Sequence, residues 1–123
     1  MLTRSTIIIL LNQTNEELLL DSRSQYLDNS RWKPGMEPPI SILAGEYGVW
    51  ASQSETTGGG NKGSLQYSIS GLALYDPIIL HWDNPYFGKN SYEPSRVPDG
   101  FELKVLGGEG IHATVVYVFS EQS

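Results

Sequence analysis

Apolar positions in this chain recur at a spacing of two far more clearly than at the spacing of a helix. Between Gly63 and Ser70, Leu65, Tyr67 and Ile69 alternate with Ser64, Gln66, Ser68 and Ser70, the pattern of a strand with one face in a core. Ile78 to Asp83 sets Ile78, Leu80 and Trp82 on one face against Ile79, His81 and Asp83 on the other. Phe101 to Leu106 and Ala113 to Ser120 alternate likewise, and the last buries Val115, Tyr117 and Phe119. Thr6 to Leu11 is instead continuous and β-branched, which predicts a strand covered on both faces. The polar turn residues Asn12 to Asn15 then suggest a hairpin to Leu18–Leu20. Val49 to Gln53 is a further short strand, and Pro38 and Pro39 confine another to Ile40–Leu43. Asp21 to Gly35 reads as irregular chain with Trp32 its one large anchor. Turn residues punctuate the rest at short intervals, and no run holds a helical period over a helix's length. The architecture expected is all-β: a single antiparallel β-sandwich of about eight short strands, with residues 1–123 forming one domain.

Composition agrees with that architecture and narrows the partners. Ile, Val, Thr and Tyr are plentiful and charged residues make only 18% of the chain, so the polar surface is mostly Ser, Thr, Asn, Gln and Gly. Fourteen acidic against eight basic residues give a net charge of −6, which disfavours nucleic acid as a partner. The same sign repels anionic lipid surfaces, so any membrane contact must rest on aromatic side chains and on zwitterionic or neutral headgroups. The absence of Cys removes disulfide, thiolate-metal and thiol-nucleophile chemistry together. The apolar run Ile7–Leu11 is far too short to span a bilayer, and no signal-peptide cleavage pattern follows it.

The densest chemical segment is Trp82-Asp83-Asn84-Pro85-Tyr86-Phe87-Gly88-Lys89-Asn90-Ser91-Tyr92, where a strand runs into a turn carrying aromatics, a cation and amides. Tyr and Trp combine an apolar body with a polar handle, as membrane interfaces favour, and their faces attract quaternary ammonium groups. Sugar stacking would use the same residues. Trp82 shares its face with Ile78 and Leu80, as a core residue would, whereas Tyr86, Phe87 and Tyr92 fit a packed corner and an exposed contact site equally. Arg31-Trp32-Lys33 is a second aromatic and cationic cluster, whose simpler reading has Trp32 plugging the core edge with the cations in water. Gly58 to Gly63 lacks the Walker spacing and reads as a hairpin loop rather than a phosphate cradle; as part of Glu55–Gly63 it is the segment expected to be most mobile. His81 and His112 have no carboxylate at a metal-binding spacing, and no Gly-x-Ser-x-Gly elbow is present. No catalytic residue, metal or cofactor is expected.

Several of these segments together resemble the aegerolysin family, and more closely the small component of binary insecticidal crystal toxins within the same structural family. The resemblance spans roughly Ile7 to Phe119 and rests on Asn12-Gln13-Thr14 followed by Leu18 and Leu20, on Arg31-Trp32, on Gly63 to Gly71 (GSLQYSISG), and on Asp83-Asn84-Pro85-Tyr86-x-Gly88-x-Asn90-x-Tyr92. It implies a β-sandwich without catalytic activity that binds a membrane lipid headgroup or membrane receptor and recruits a larger pore-forming partner protein. It also implies that Arg31, Trp32, Trp82, Asp83, Tyr86, Phe87, Lys89 and Tyr92 belong to the headgroup- or receptor-contacting region. The fungal members carry Trp where this chain has Arg4 to Thr6, and Cys where Asn84 stands. A protein of this kind would be secreted or held in an intracellular inclusion and would act at a target-cell membrane.

Two readings from other classes stand beside it. One is a soluble carbohydrate-binding module using the same aromatics for sugar stacking. The other is a self-associating, inclusion-forming protein, a homo-oligomer in which the Ile-rich first strand or an edge strand pairs between chains.

Overall fold

Period-two alternation becomes ten strands in the computed structural model, which describes residues 3–71 and 76–122. They are β1 (Ser5–Gln13), β2 (Leu18–Leu20), β3 (Tyr26–Asp28), β4 (Ser30–Trp32), β5 (Ser41–Ile42), β6 (Tyr47–Ser54), β7 (Asn61–Ile69), β8 (Ile78–Asn84), β9 (Phe101–Gly107) and β10 (His112–Glu121). One sheet has the order β4-β6-β1-β10-β9. In the other, β8 pairs along one edge of β7, β3 and β2 pair end to end along its opposite edge, and β5 lies beyond β2. The expected β-sandwich is the observed one, with two additional short strands and one parallel pair, β1 with β10.

Three of the four alternating strands bury what their pattern predicts; β9 does not, since Phe101 and Leu103 are only half-buried and Val105 is exposed at the sheet edge. Leu65, Tyr67 and Ile69 of β7, Ile78, Leu80 and Trp82 of β8, and Val115, Tyr117 and Phe119 of β10 form the core with Ile8, Leu10, Leu18, Ile42 and Trp50. Trp50 centres an aromatic group, its ring 5.8 Å from Tyr67 and 6.2 Å from Trp82, and such pairs add about 0.5–1.5 kcal/mol each beyond burial. A polar cluster crosses the interior: Asn61, fully buried, accepts from Thr6 Oγ1 at 2.6 Å and donates to Ser30 Oγ and Ser52 Oγ at 2.9 and 3.0 Å, whereas the buried Trp50 Nε1 has no acceptor. Ser52 Oγ also accepts from Trp82 Nε1 at 3.0 Å. That cluster fastens β1, β4 and β6 of one sheet to β7 and β8 of the other.

Four expectations change. The hairpin from β1 to β2 does not form, because Asn12 directs the chain into the other sheet: its Nδ2 donates to the carbonyls of Glu16, Ile42 and Leu43, and its Oδ1 accepts from Thr14. The glycine-rich loop after β6 likewise crosses between sheets rather than closing a hairpin. Asp21 to Gly35 is more ordered than its composition suggests, with a 3-10 turn over Ser22–Ser24 and the strands β3 and β4. Finally, β1 is sealed on one face only: Ile8 and Leu10 are fully buried, while Ile7, Ile9 and Leu11 are half-buried among their cross-strand neighbours.

Candidate functional site

The end of β8 gathers most of the chemistry that the sequence concentrates there. Asn84 closes the strand fully buried, and its Nδ2 donates to Ser5 O at 3.2 Å and Ile111 O at 2.9 Å. Pro85 favours extended geometry in the residue before it, and Gly88 turns the chain back with φ of +95°. Between them Tyr86 and Phe87 project from the sandwich, 44% and 84% exposed, with their rings edge to face at 4.7 Å. A Phe this exposed forgoes most of the roughly 1.5–3 kcal/mol that burial would contribute.

Arg4 supports this tip from below. Its Nη2 donates to Tyr86 O at 2.9 Å, its Nη1 lies 3.5 Å from Asn84 Oδ1, and its guanidinium sits 5.2 Å from the centre of the Tyr86 ring. Arg4 Nε is buried with no protein acceptor. The loop after β6 flanks the other side, where Gly60 packs on Pro85 and Gly58 faces Tyr86.

Beside the tip lies an open cleft of about 540 Å³, lined by Arg4, Lys89, Asn90, Tyr92, Glu109 and Ile111 with the glycines around them. Its far wall is the 107–110 turn, fastened by Asn90 Nδ2 donating to Gly108 O at 2.7 Å and Gly110 O at 2.9 Å, and by Tyr92 OH donating to Gly108 O at 2.7 Å. Gly108 is required there: its φ is +92°, and a Cβ would fall on the Tyr92 ring. Burial pushes the Tyr92 phenol up to about 12, so it remains a neutral donor across the ordinary pH range. Against the −6 of the whole chain, the cleft carries two cations and one carboxylate, a local field of opposite sign to the protein's.

The eight site residues expected from the sequence divide on this geometry. Tyr86, Phe87 and Lys89 are exposed together at the tip. Trp82 is corrected to a packing role: it is fully buried, because it shares parity with Ile78 and Leu80 and its indole N–H is held by Ser52. Tyr92 is only 6% exposed and forms the floor of the cleft beneath Gly108. Asp83 is half-buried near the end of β8, its backbone N–H and C=O paired with Ser91 at 2.9 Å each. Arg31 and Trp32 lie on β4, two strands from β1; Arg31 is exposed, and Trp32 packs its ring 5.9 Å from Trp82. Arg4 and Glu109 join the site although the sequence did not mark them. For Glu109 the one available signal was the glycine cluster Gly107-Gly108-Glu109-Gly110.

Among the described residues, no group of three His, Asp or Glu side chains converges as a metal site. His112 instead shares a 2.8 Å hydrogen bond with Ser5 Oγ.

No family model matches this sequence, and no curated protein matches it. Solved structures do. The chain superposes on the lipid binding protein Nakanori with a TM-score of 0.76 at 13% identity, covering 96% of this chain and 71% of that one. It superposes on RahU protein, solved in complex with a TRIS molecule, with a TM-score of 0.74 at 12% identity, covering 98% of this chain and 96% of that one. The fold is thereby an aegerolysin-like β-sandwich.

Proposed function

We propose that this protein binds a membrane lipid headgroup at the tip of β8, and that it does so as the non-enzymatic recognition component of a two-component pore-forming toxin whose larger partner makes the pore. The observation that carries the reading is the exposed Tyr86–Phe87 pair set directly beside a cleft holding Arg4, Lys89 and Glu109. Aromatic rings of this kind partition into the headgroup layer, where an apolar body and a polar tip are both accommodated. Arg4 and Lys89 suit a phosphate, and Glu109 with the neighbouring ring faces suits a quaternary ammonium. The preferred headgroup is accordingly zwitterionic, carrying both groups, which also avoids the repulsion an acidic protein meets at an anionic surface.

The lipid binding named for Nakanori, a protein of the same fold, supports this reading. The toxin role draws on the sequence resemblance to the binary insecticidal proteins, and it sets the place of action at a target-cell membrane, reached by secretion or by release from an inclusion.

Co-sedimentation with vesicles tests the headgroup. Phosphatidylcholine or sphingomyelin vesicles should retain the protein, free phosphocholine should compete, and Lys89→Glu should weaken retention without altering thermal unfolding. Retention on phosphatidylglycerol vesicles alone, or on none, would overturn the proposal. Release by a simple sugar with no dependence on lipid would point to glycan recognition instead.

A further inference from the structure

The edges of the two sheets are not treated alike. At one end of its sheet β4 is three residues long, and in the other sheet β3 and β5 have three and two. The free side of β8 is crossed by bridges from Arg96 and Ser91. β9 is seven residues long, has β10 as its one strand neighbour, contains no Pro, and exposes Lys104, Val105 and Leu106. Among the described residues it is the one long edge left uncovered, and open edges of this length invite pairing with another chain.

The hydrogen-bond parity of β9 fixes which of its groups are open. Gly108 N donates to Thr114 O at 2.8 Å and Gln122 N to Gly100 O at 2.9 Å, so with the β9–β10 register the even-numbered residues of β9 face β10. Leu103 and Val105 therefore turn their N–H and C=O outward. The side chains divide the other way. Phe101, Leu103 and Val105 stand on the core side, opposite Glu121, Phe119 and Tyr117, while Glu102 and Lys104 stand on the outer face.

We infer that β9 pairs antiparallel with β9 of a second copy of this chain, joining the two five-stranded sheets into one across a two-fold axis at Leu103. In that register Leu103 lies opposite Leu103 in a hydrogen-bonded pair, and Phe101 lies opposite Val105 on the apolar side. Glu102 lies opposite Lys104 of the second copy twice over, in the non-hydrogen-bonded positions where side chains approach most closely. The charge pattern selects this register. A shift of one step sets Glu102 against Glu102 or Lys104 against Lys104, and like charges directly opposite are destabilising. A lone edge lysine is a common device against pairing, whereas a Glu and Lys two residues apart are complementary to their own two-fold image. The occupant is thus a second copy of this chain, and the inference is independent of the lipid reading.

Sedimentation equilibrium of the whole chain from micromolar to millimolar concentration, with backbone amide exchange alongside, tests it. The wild type should reach a dimer, and the Leu103 and Val105 amides should gain protection as it forms. Glu102→Lys and Lys104→Glu should each weaken association by about tenfold or more, since each turns both cross-strand pairs repulsive. Mixed in equal amounts, the two variants should recover association as a heterodimer, because each then supplies the charge the other lacks. A wild type that stays monomeric throughout, single variants that dimerise as the wild type does, a mixture that fails to assemble, or a dimer without protection at Leu103 and Val105 would each overturn the inference.

Discussion

Truncating Phe87 should separate membrane contact from fold stability. The side chain is 84% exposed, so Phe87→Ala removes almost nothing from the core, and unfolding in urea should shift by less than about 0.5 kcal/mol. On a membrane the balance reverses. Burying a Phe side chain contributes about 1.5–3 kcal/mol, and 84% of its surface is available to be buried, which leaves about 1.3–2.5 kcal/mol for insertion. At 1.4 kcal/mol per decade, retention on sphingomyelin vesicles should fall by roughly eightfold to sixtyfold. The control is Trp82→Ala on the same strand. It empties a fully buried site and breaks the bond to Ser52, and should cost about 3–5 kcal/mol of stability. A Phe87→Ala protein that unfolds as easily as Trp82→Ala, or that is retained as well as wild type, would refute the assignment of the tip as an exposed contact site.

Three further outcomes follow from the packing. Asn61→Ala strips the shared partner from Thr6, Ser30 and Ser52 and should lower stability by about 2–4 kcal/mol in chemical denaturation, with vesicle binding by the folded fraction unchanged. Gly108→Ala combines a left-handed backbone with a Cβ against the Tyr92 ring, so it should destabilise by more than about 2 kcal/mol and loosen the cleft wall, seen as faster exchange in the 107–110 turn. Burial raises the phenol of Tyr92 from near 10 to about 12, and raises those of Tyr67 and Tyr117 as well. The folded state therefore holds protons that the unfolded state has released once the pH passes the ordinary phenol range. Stability from these groups should be fully present below about pH 10 and fall by about 1.4 kcal/mol per pH unit per tyrosine until the folded phenols ionise, as thermal melts across that window would report.

A period of two over five or more residues made β7, β8 and β10 legible, but not the burial of β9, whose position at the sheet edge leaves Val105 exposed. β7, β8 and β10 bury the side chains their alternation selects, and the parity that sent Trp82 inward alongside Ile78 and Leu80 was already visible. Parity stops at Asn84, so Tyr86 and Phe87 could be placed inside or outside only by the structure. Asn12 to Asn15 do turn the chain, but not into the expected hairpin, since β2 joins the other sheet. Which sheet received the chain depended on the carbonyls of Ile42 and Leu43, thirty residues away in sequence and therefore outside any local pattern. β3, β4 and β5 are too short to show a period. The burial of Tyr92 lay beyond local pattern for a similar reason: it requires the missing Cβ of Gly108, a contact between segments that the chain brings together only on folding. Arg4 stood out only as part of the stretch where the fungal proteins carry Trp, being a single cation ahead of an apolar strand that acquires its role through the Tyr86 carbonyl.

The most direct test of the central claim is to place a reporter where contact is expected. Trp50 and Trp82 are fully buried and Trp32 is packed on Trp82, so the wild type supplies a steady background against which Phe87→Trp can be read. On sphingomyelin vesicles containing brominated lipid, emission from Phe87→Trp should shift to the blue and be quenched relative to wild type. Sedimentation of the same protein with those vesicles, with no shift and no quenching at this position, would contradict the account and move the membrane contact elsewhere on the sandwich.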